Sequence, residues 1–108
     1  MPQISKTPIK KDIEIKIRRA FNQSLVGISS ESEMEKYISD LFTPTERVML
    51  AKRLAIAALL VKGLTYHEIS QKLKVSTSTV ARVNLWLRHS GSGYKTAVEK
   101  IGDWKPLA

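Results

Sequence analysis

The chain has no cysteine among its 108 residues, which excludes disulfides, thiol catalysis and thiolate-bound zinc. Its two histidines, His67 and His89, are too few and too far apart for a metal site. Acidic residues almost vanish from one stretch. Between Arg47 and Lys95 there are nine Lys or Arg and a single acid, Glu68, while the remainder carries nine of each sign. The whole net charge of +8 therefore lies in that stretch. A surface that binds a polyanion concentrates charge in this way, because each neutralised phosphate releases counterions. Long apolar runs are also missing. The longest, residues 54–61, is eight residues, against the roughly 20 that span a bilayer. The opening MPQISKTPIKKD has no apolar signal-peptide core. These absences predict a cytoplasmic protein with no membrane partner. No nucleophile–base pair, carboxylate triad or phosphate loop is present, so the chain is not expected to be an enzyme or to need a cofactor.

What is present centres on residues 65–89, TYHEISQKLKVSTSTVARVNLWLRH. Thr65 and Glu68 have the spacing of a capping box, and Leu64 with Ile69 that of a hydrophobic staple. Ser76 repeats the cap and Val75 with Val80 the staple, which leaves only Lys74 and Val75 to turn the chain. Ile69 and Leu73 share one helical face, and Val80, Val83 and Leu87 share another. Two short helices crossing steeply over one small core form a helix-turn-helix, whose second helix suits a DNA major groove. Thr77, Ser78, Ala81 and Arg82 face away from the apolar stripe. Small residues let the helix sit deep, and arginine can fork onto guanine or clamp a phosphate.

The flanking segments read as further helices of one domain, residues 1–108. Residues 1–8, with two prolines, are expected to be loose. Ile9, Ile13, Ile17, Phe21 and Leu25 recur every four residues and predict a helix over 9–26, although Ile13, Ile15 and Ile17 also alternate as a strand would. Ser30 with Glu33 opens a second helix over 30–42. Thr43-Pro44-Thr45-Glu46 is a strong start for a central helix over 44–62, and Gly63 is its stop. Its second half, LAIAALLV, is apolar on every side and calls for burial on every side. A single small chain is expected to be unable to cover it, so a second copy is. Leu85 and Trp86, off the core stripe, are expected to be covered by that partner or by a C-terminal helix over 94–102. HSGSGY before that helix reads as a flexible connector. Trp104 in the tail is a candidate anchor.

The segment LFTPTERVMLAKRLAIAALLVKG, with the STSTVARVN stretch beyond it, resembles the Trp repressor family over residues 31–89. The nearer match is to its branch of Trp-repressor-like proteins with no assigned ligand. The resemblance implies an all-α, Trp-repressor-like helical bundle with a helix-turn-helix. It further implies an intertwined homodimer whose N-terminal helices wrap the partner. The function expected is sequence-specific binding to double-stranded DNA as a transcriptional regulator, a repressor, associated with the nucleoid. Thr77, Ser78, Thr79 and Arg82 are expected at base edges, and His67, Lys72, Lys74 and Arg88 at phosphates. In the family a threonine and two arginines hold a tryptophan effector; Thr43, Arg53 and Arg82 match them. The tryptophan-binding members have glycine after the second arginine, whereas this chain has Val83, whose methyls take space the indole needs. L-tryptophan or another small effector is thus a lesser expectation. Two rival readings stand beside the regulator: a helix-turn-helix adaptor that binds protein alone, and the DNA-binding part of an initiator or transposase system.

Overall fold

Capping residues set out by the sequence (Ser30, Thr43, Thr65 and Ser76) start four of the helices of the computed structural model, which describes residues 7–102. The order is α1 (Lys11–Gly27), α2 (Glu31–Leu41), α3 (Pro44–Val61), α4 (Tyr66–Leu73), α5 (Thr77–Ser90) and α6 (Ser92–Ile101), with no strand among the described residues. The alternating isoleucines of α1 are therefore helical, because the four-residue repeat runs through the whole segment and the alternation through only part of it. Trp104 and most of residues 1–8 lie outside the described residues.

Two compact units form, divided between Arg47 and Val48. In the first, Ser24 Oγ lies 2.6 Å from the Tyr37 hydroxyl and donates to the Phe21 carbonyl, tying α1 to α2. Ser30 Oγ accepts from the Glu33 amide at 3.1 Å to start α2. Arg47 pairs with Glu35 and donates to Ser39 Oγ at 3.0 Å. Neither α1 nor α2 contains a buried residue. Ile13, Ile15, Ile17 and Phe21 all stand exposed.

The second unit holds the core. Ile56, Ile69, Val80 and Val83 are fully buried, one from α3, one from α4 and two from α5. Each such side chain contributes about 1.5–3 kcal/mol of burial. Tyr94 and Val98 of α6 pack against the same cluster. This corrects the expectation for LAIAALLV in part, since Val61 at its end stays exposed. Residues 55–59 are all buried within the single chain, since α6 adds a face that the helix-turn-helix stripe alone does not supply, and the alanines need little cover. Exposed apolar residues of α3 lie at both its ends: Val48, Met49 and Leu50 in its first half are 41–53% exposed, and Val61, its last residue, 55%.

The expected connector before α6 is likewise replaced by structure. Helix α5 runs through His89 and Ser90, and α6 begins directly after Gly91. Gly91 is buried, and a Cβ there would lie 2.1 Å from the Leu87 carbonyl oxygen. The glycine is a close-packed corner, not a flexible link.

Two complete capping boxes start α3 and α4. The Thr43 amide donates to the Glu46 carboxylate at 2.9 Å, and the Glu46 amide donates to Thr43 Oγ1 at 3.2 Å. Thr65 and Glu68 repeat the pair at 3.0 and 3.2 Å. The Thr43 backbone N–H lowers the Glu46 pKa; modest desolvation opposes it and the Thr43 side chain adds to the lowering. Glu68 is lowered by the Thr65 backbone N–H first and by its side chain second. Gly63, with φ 92°, ends α3 in the left-handed region.

The α4–α5 turn rests on a left-handed Lys74, with φ 55° and ψ 51°. Its amide donates to the Ser70 carbonyl, as does the Val75 amide at 3.2 Å, and Ser70 Oγ donates to the Val75 carbonyl at 2.6 Å. A side chain at such φ costs about 1–2 kcal/mol.

Two outcomes are expected. A carboxylate whose pKa is depressed on folding stabilises above its ordinary value of 4.5 and loses that stabilisation as pH falls through the folded value. Thermal melts across this range should therefore show acid destabilisation that is reduced in Glu46→Gln and Glu68→Gln, whose amide oxygen accepts the same bond without titrating. Separately, Lys74→Gly should raise stability by about 0.5–1 kcal/mol, the relieved strain less the glycine's unfolded-state entropy. Lys74→Ala, which keeps the strain, should not; a denaturant titration in which both behave alike contradicts the assignment.

Candidate nucleic-acid interface

Helix α5 has one stripe in the core and must present the rest. Val80, Val83 and Leu87 are buried, and Thr77, Ser78, Thr79 and Arg82 are exposed. The Ser76 cap organises the front of the helix. Its hydroxyl accepts from the Thr79 amide at 3.1 Å and lies 2.9 and 2.8 Å from the Ser78 and Thr79 hydroxyls. These three hydroxyls form one small network. Ser76 is saturated by these three contacts, while the Ser78 and Thr79 hydroxyls keep spare capacity for a base edge or a bridging water. No acid lies in the first turn of α5, so the partial positive charge of the helix start is uncancelled there.

The cations expected at phosphates are all exposed: His67 in the first turn of α4, Lys72 in its last, Lys74 in the turn and Arg88 in the last turn of α5. Lys52 of α3, which the sequence gave no reason to single out, reaches the same turn. Its Nζ lies 3.5 Å from the Lys74 carbonyl. Another feature invisible in the sequence joins the two helices. Asn84 Nδ2 donates to the Tyr66 hydroxyl at 2.7 Å, so the start of α4 is pinned to the middle of α5. The residues are 18 positions apart, and neither lies on the apolar stripe or at a cap from which the helix pair is read.

A cavity of about 290 Å³ opens between α3 and α5. Arg53 and Arg82, matched in sequence as an effector pair, both line it, together with Lys52, Thr79 and Trp86. Thr79 and Arg82 thus sit at the edge of the outward face of α5, toward α3, whereas Thr77 and Ser78 do not border the cavity. Val83 forms part of its wall and is 1% exposed, held in the core. The Arg53 guanidinium stands over the Trp86 ring, 5.5 Å from its centroid. Thr43, the third effector residue of the resemblance, commits its hydroxyl and amide to the start of α3. Leu85 and Trp86 remain 54% and 38% exposed, so α6 does not cover them as expected. A shallower groove bounded by Leu54, Trp86, Tyr94 and Ala97 lies on the α6 side. No helix among the described residues is long and apolar enough to cross a membrane, and no three His, Cys, Asp or Glu side chains there gather as a metal would require.

Comparison with known proteins agrees with this architecture. The profile of the family described as Trp repressor protein matches residues 18–101. An uncharacterized protein of Bacillus subtilis (strain 168), YerC, is 32% identical over 78 residues, covering 72% of this chain and 75% of its own. Among solved structures, a TrpR-like protein from Eubacterium eligens ATCC 27750 superposes with a TM-score of 0.79 at 25% identity, over 89% of this chain and 99% of that one. A chain from Staphylococcus aureus superposes with a TM-score of 0.76 at 22% identity, over 86% and 95% respectively, and so shares the fold. With its all-helical architecture and its matched span, the chain belongs to the Trp repressor family, a family of helical DNA-binding regulators.

Proposed function

We propose that the protein is a sequence-specific DNA-binding transcriptional regulator, a repressor, that acts as a homodimer on duplex DNA of the nucleoid. The observation that carries this is the outward face of α5. Three hydroxyls and one arginine stand exposed on a helix whose opposite stripe is fixed in the core. The stretch around it holds nine bases and one acid. Thr77, Ser78, Thr79 and Arg82 read base edges, directly or through water. His67, Lys72, Lys74 and Arg88 hold phosphates and fix the register.

The dimer rests on a second observation. Neither α1 nor α2 buries a residue, and Val48, Met49 and Leu50 at the start of α3 are exposed. Apolar surface of this extent on a small chain marks an interface. A two-fold pair places two recognition helices about 34 Å apart, in successive major grooves of a pseudo-palindromic site. The adaptor reading, in which the same surface binds only protein, predicts no salt-dependent binding to duplex DNA.

Binding titrations with duplex DNA over a range of salt concentrations test the reading. Arg82→Ala should relax sequence preference at one position of the site, costing about 1–3 kcal/mol on the preferred sequence. Lys72→Ala should weaken every sequence alike and flatten the salt slope by about one unit. Identical effects of the two substitutions contradict this division of labour, and absence of salt-dependent binding to duplex DNA favours the adaptor. Sedimentation should give a particle of twice the 12.2 kDa chain mass, and Ile17→Asp should shift it toward the monomer. A wild-type monomer at all concentrations refutes the dimer.

A further inference from the structure

We propose that Trp86 is a positioning residue. Its indole, held against Arg53, acts as an internal strut that keeps α5 at its DNA-reading angle. The proposal rests on the DNA-binding reading above for its consequence, though not for its geometry.

Helix α5 is held on two opposite sides. On one, Asn84 is hydrogen-bonded to Tyr66 of α4. On the other, two residues and therefore about 200° further round the helix, Trp86 faces the cavity. The floor of that cavity is closed by Ile56 and Val83. Above the floor, α3 presents Lys52 and Arg53, and α5 presents Arg82, with no acid in the lining. Three like charges round one opening push α3 and α5 apart. The attraction that crosses the same opening is the Arg53 guanidinium over the Trp86 ring at 5.5 Å. It is suited to the task, because a ring face receives a cation without neutralising it, so the basic surface keeps its charge. Trp86 follows Arg82 by four residues, one turn along the same edge of α5. Loss of the strut lets α5 roll on its core stripe, and the roll moves Arg82 first.

Substitution at both ends tests this, with folding followed by circular dichroism. A cation–π contact between an exposed and a desolvated setting corresponds to roughly 2- to 30-fold in an equilibrium. Trp86→Ala should weaken binding to the preferred duplex within that range and weaken binding to random duplex much less. Trp86→Phe, which keeps a ring, should retain most of the preference. Arg53→Ala should reproduce the Trp86→Ala loss of preference beyond the uniform loss of one charge. Free indole should restore part of the preference to Trp86→Ala and leave the wild type unchanged. An unaltered preference in folded Trp86→Ala overturns the strut, and so does a Trp86→Phe variant as weak as Trp86→Ala. A wild type that ignores every duplex overturns the DNA reading instead. The strut is then judged by fluorescence in a Trp104→Phe background, where Trp86 alone emits. There Arg53→Ala should change the emission, and unchanged emission overturns it.

Discussion

The proposed interface depends on one backbone knot, at Ser70. Its carbonyl accepts from the Lys74 and Val75 amides, and its hydroxyl donates to the Val75 carbonyl. Three hydrogen bonds on one residue close the end of α4 and set the direction in which α5 leaves. The arrangement needs a left-handed residue at position 74, and the chain puts a lysine there. A glycine would adopt that backbone more easily. The lysine keeps a cation beside the front of α5, next to Lys72, on the face where the charge is concentrated. Strain at the turn and charge at the interface thus meet in one side chain, as is common where a backbone outlier lies at a functional surface.

Much of this was legible because the signals are local. The boxes Thr43–Glu46 and Thr65–Glu68 and the Ser76 cap are spacings of three residues, and the structure makes each of them. The stripe Val80, Val83, Leu87 is a helical period, and it is buried. What was not legible is what joins positions far apart. Nothing in the pattern pairs Tyr66 with Asn84 or Arg53 with Trp86, since each contact is set by the crossing of whole helices. The Ser70 hydroxyl bond to Val75 likewise depends on the turn being already formed.

Gly91 misled for a related reason. A serine–glycine string reads as a loop because those residues favour loops on average. Here the glycine is required by space, with the Leu87 carbonyl where a side chain would go. The sharp corner sends α6 back onto the core, and Tyr94 and Val98 arrive there as a result. Composition cannot distinguish freedom from crowding; the two call for the same residue.

That corner also alters where the chain looks incomplete. Within the single chain residues 55–59 of α3 are covered, and the case for a partner built on the second half of that helix shrinks to Val61, exposed at its end. The case moves one and a half turns toward the start of the same helix, to Val48, Met49 and Leu50, and to α1 and α2, which bury nothing. A helix that is core past its middle and exposed apolar near its start divides its work along its length. The middle of the helix joins the core with α4 and α5, and its start is what a second copy would cover in the proposed dimer. If so, losing the partner leaves the small core of Ile56, Ile69, Val80 and Val83 intact and costs the spacing between two recognition helices before it costs the fold of either.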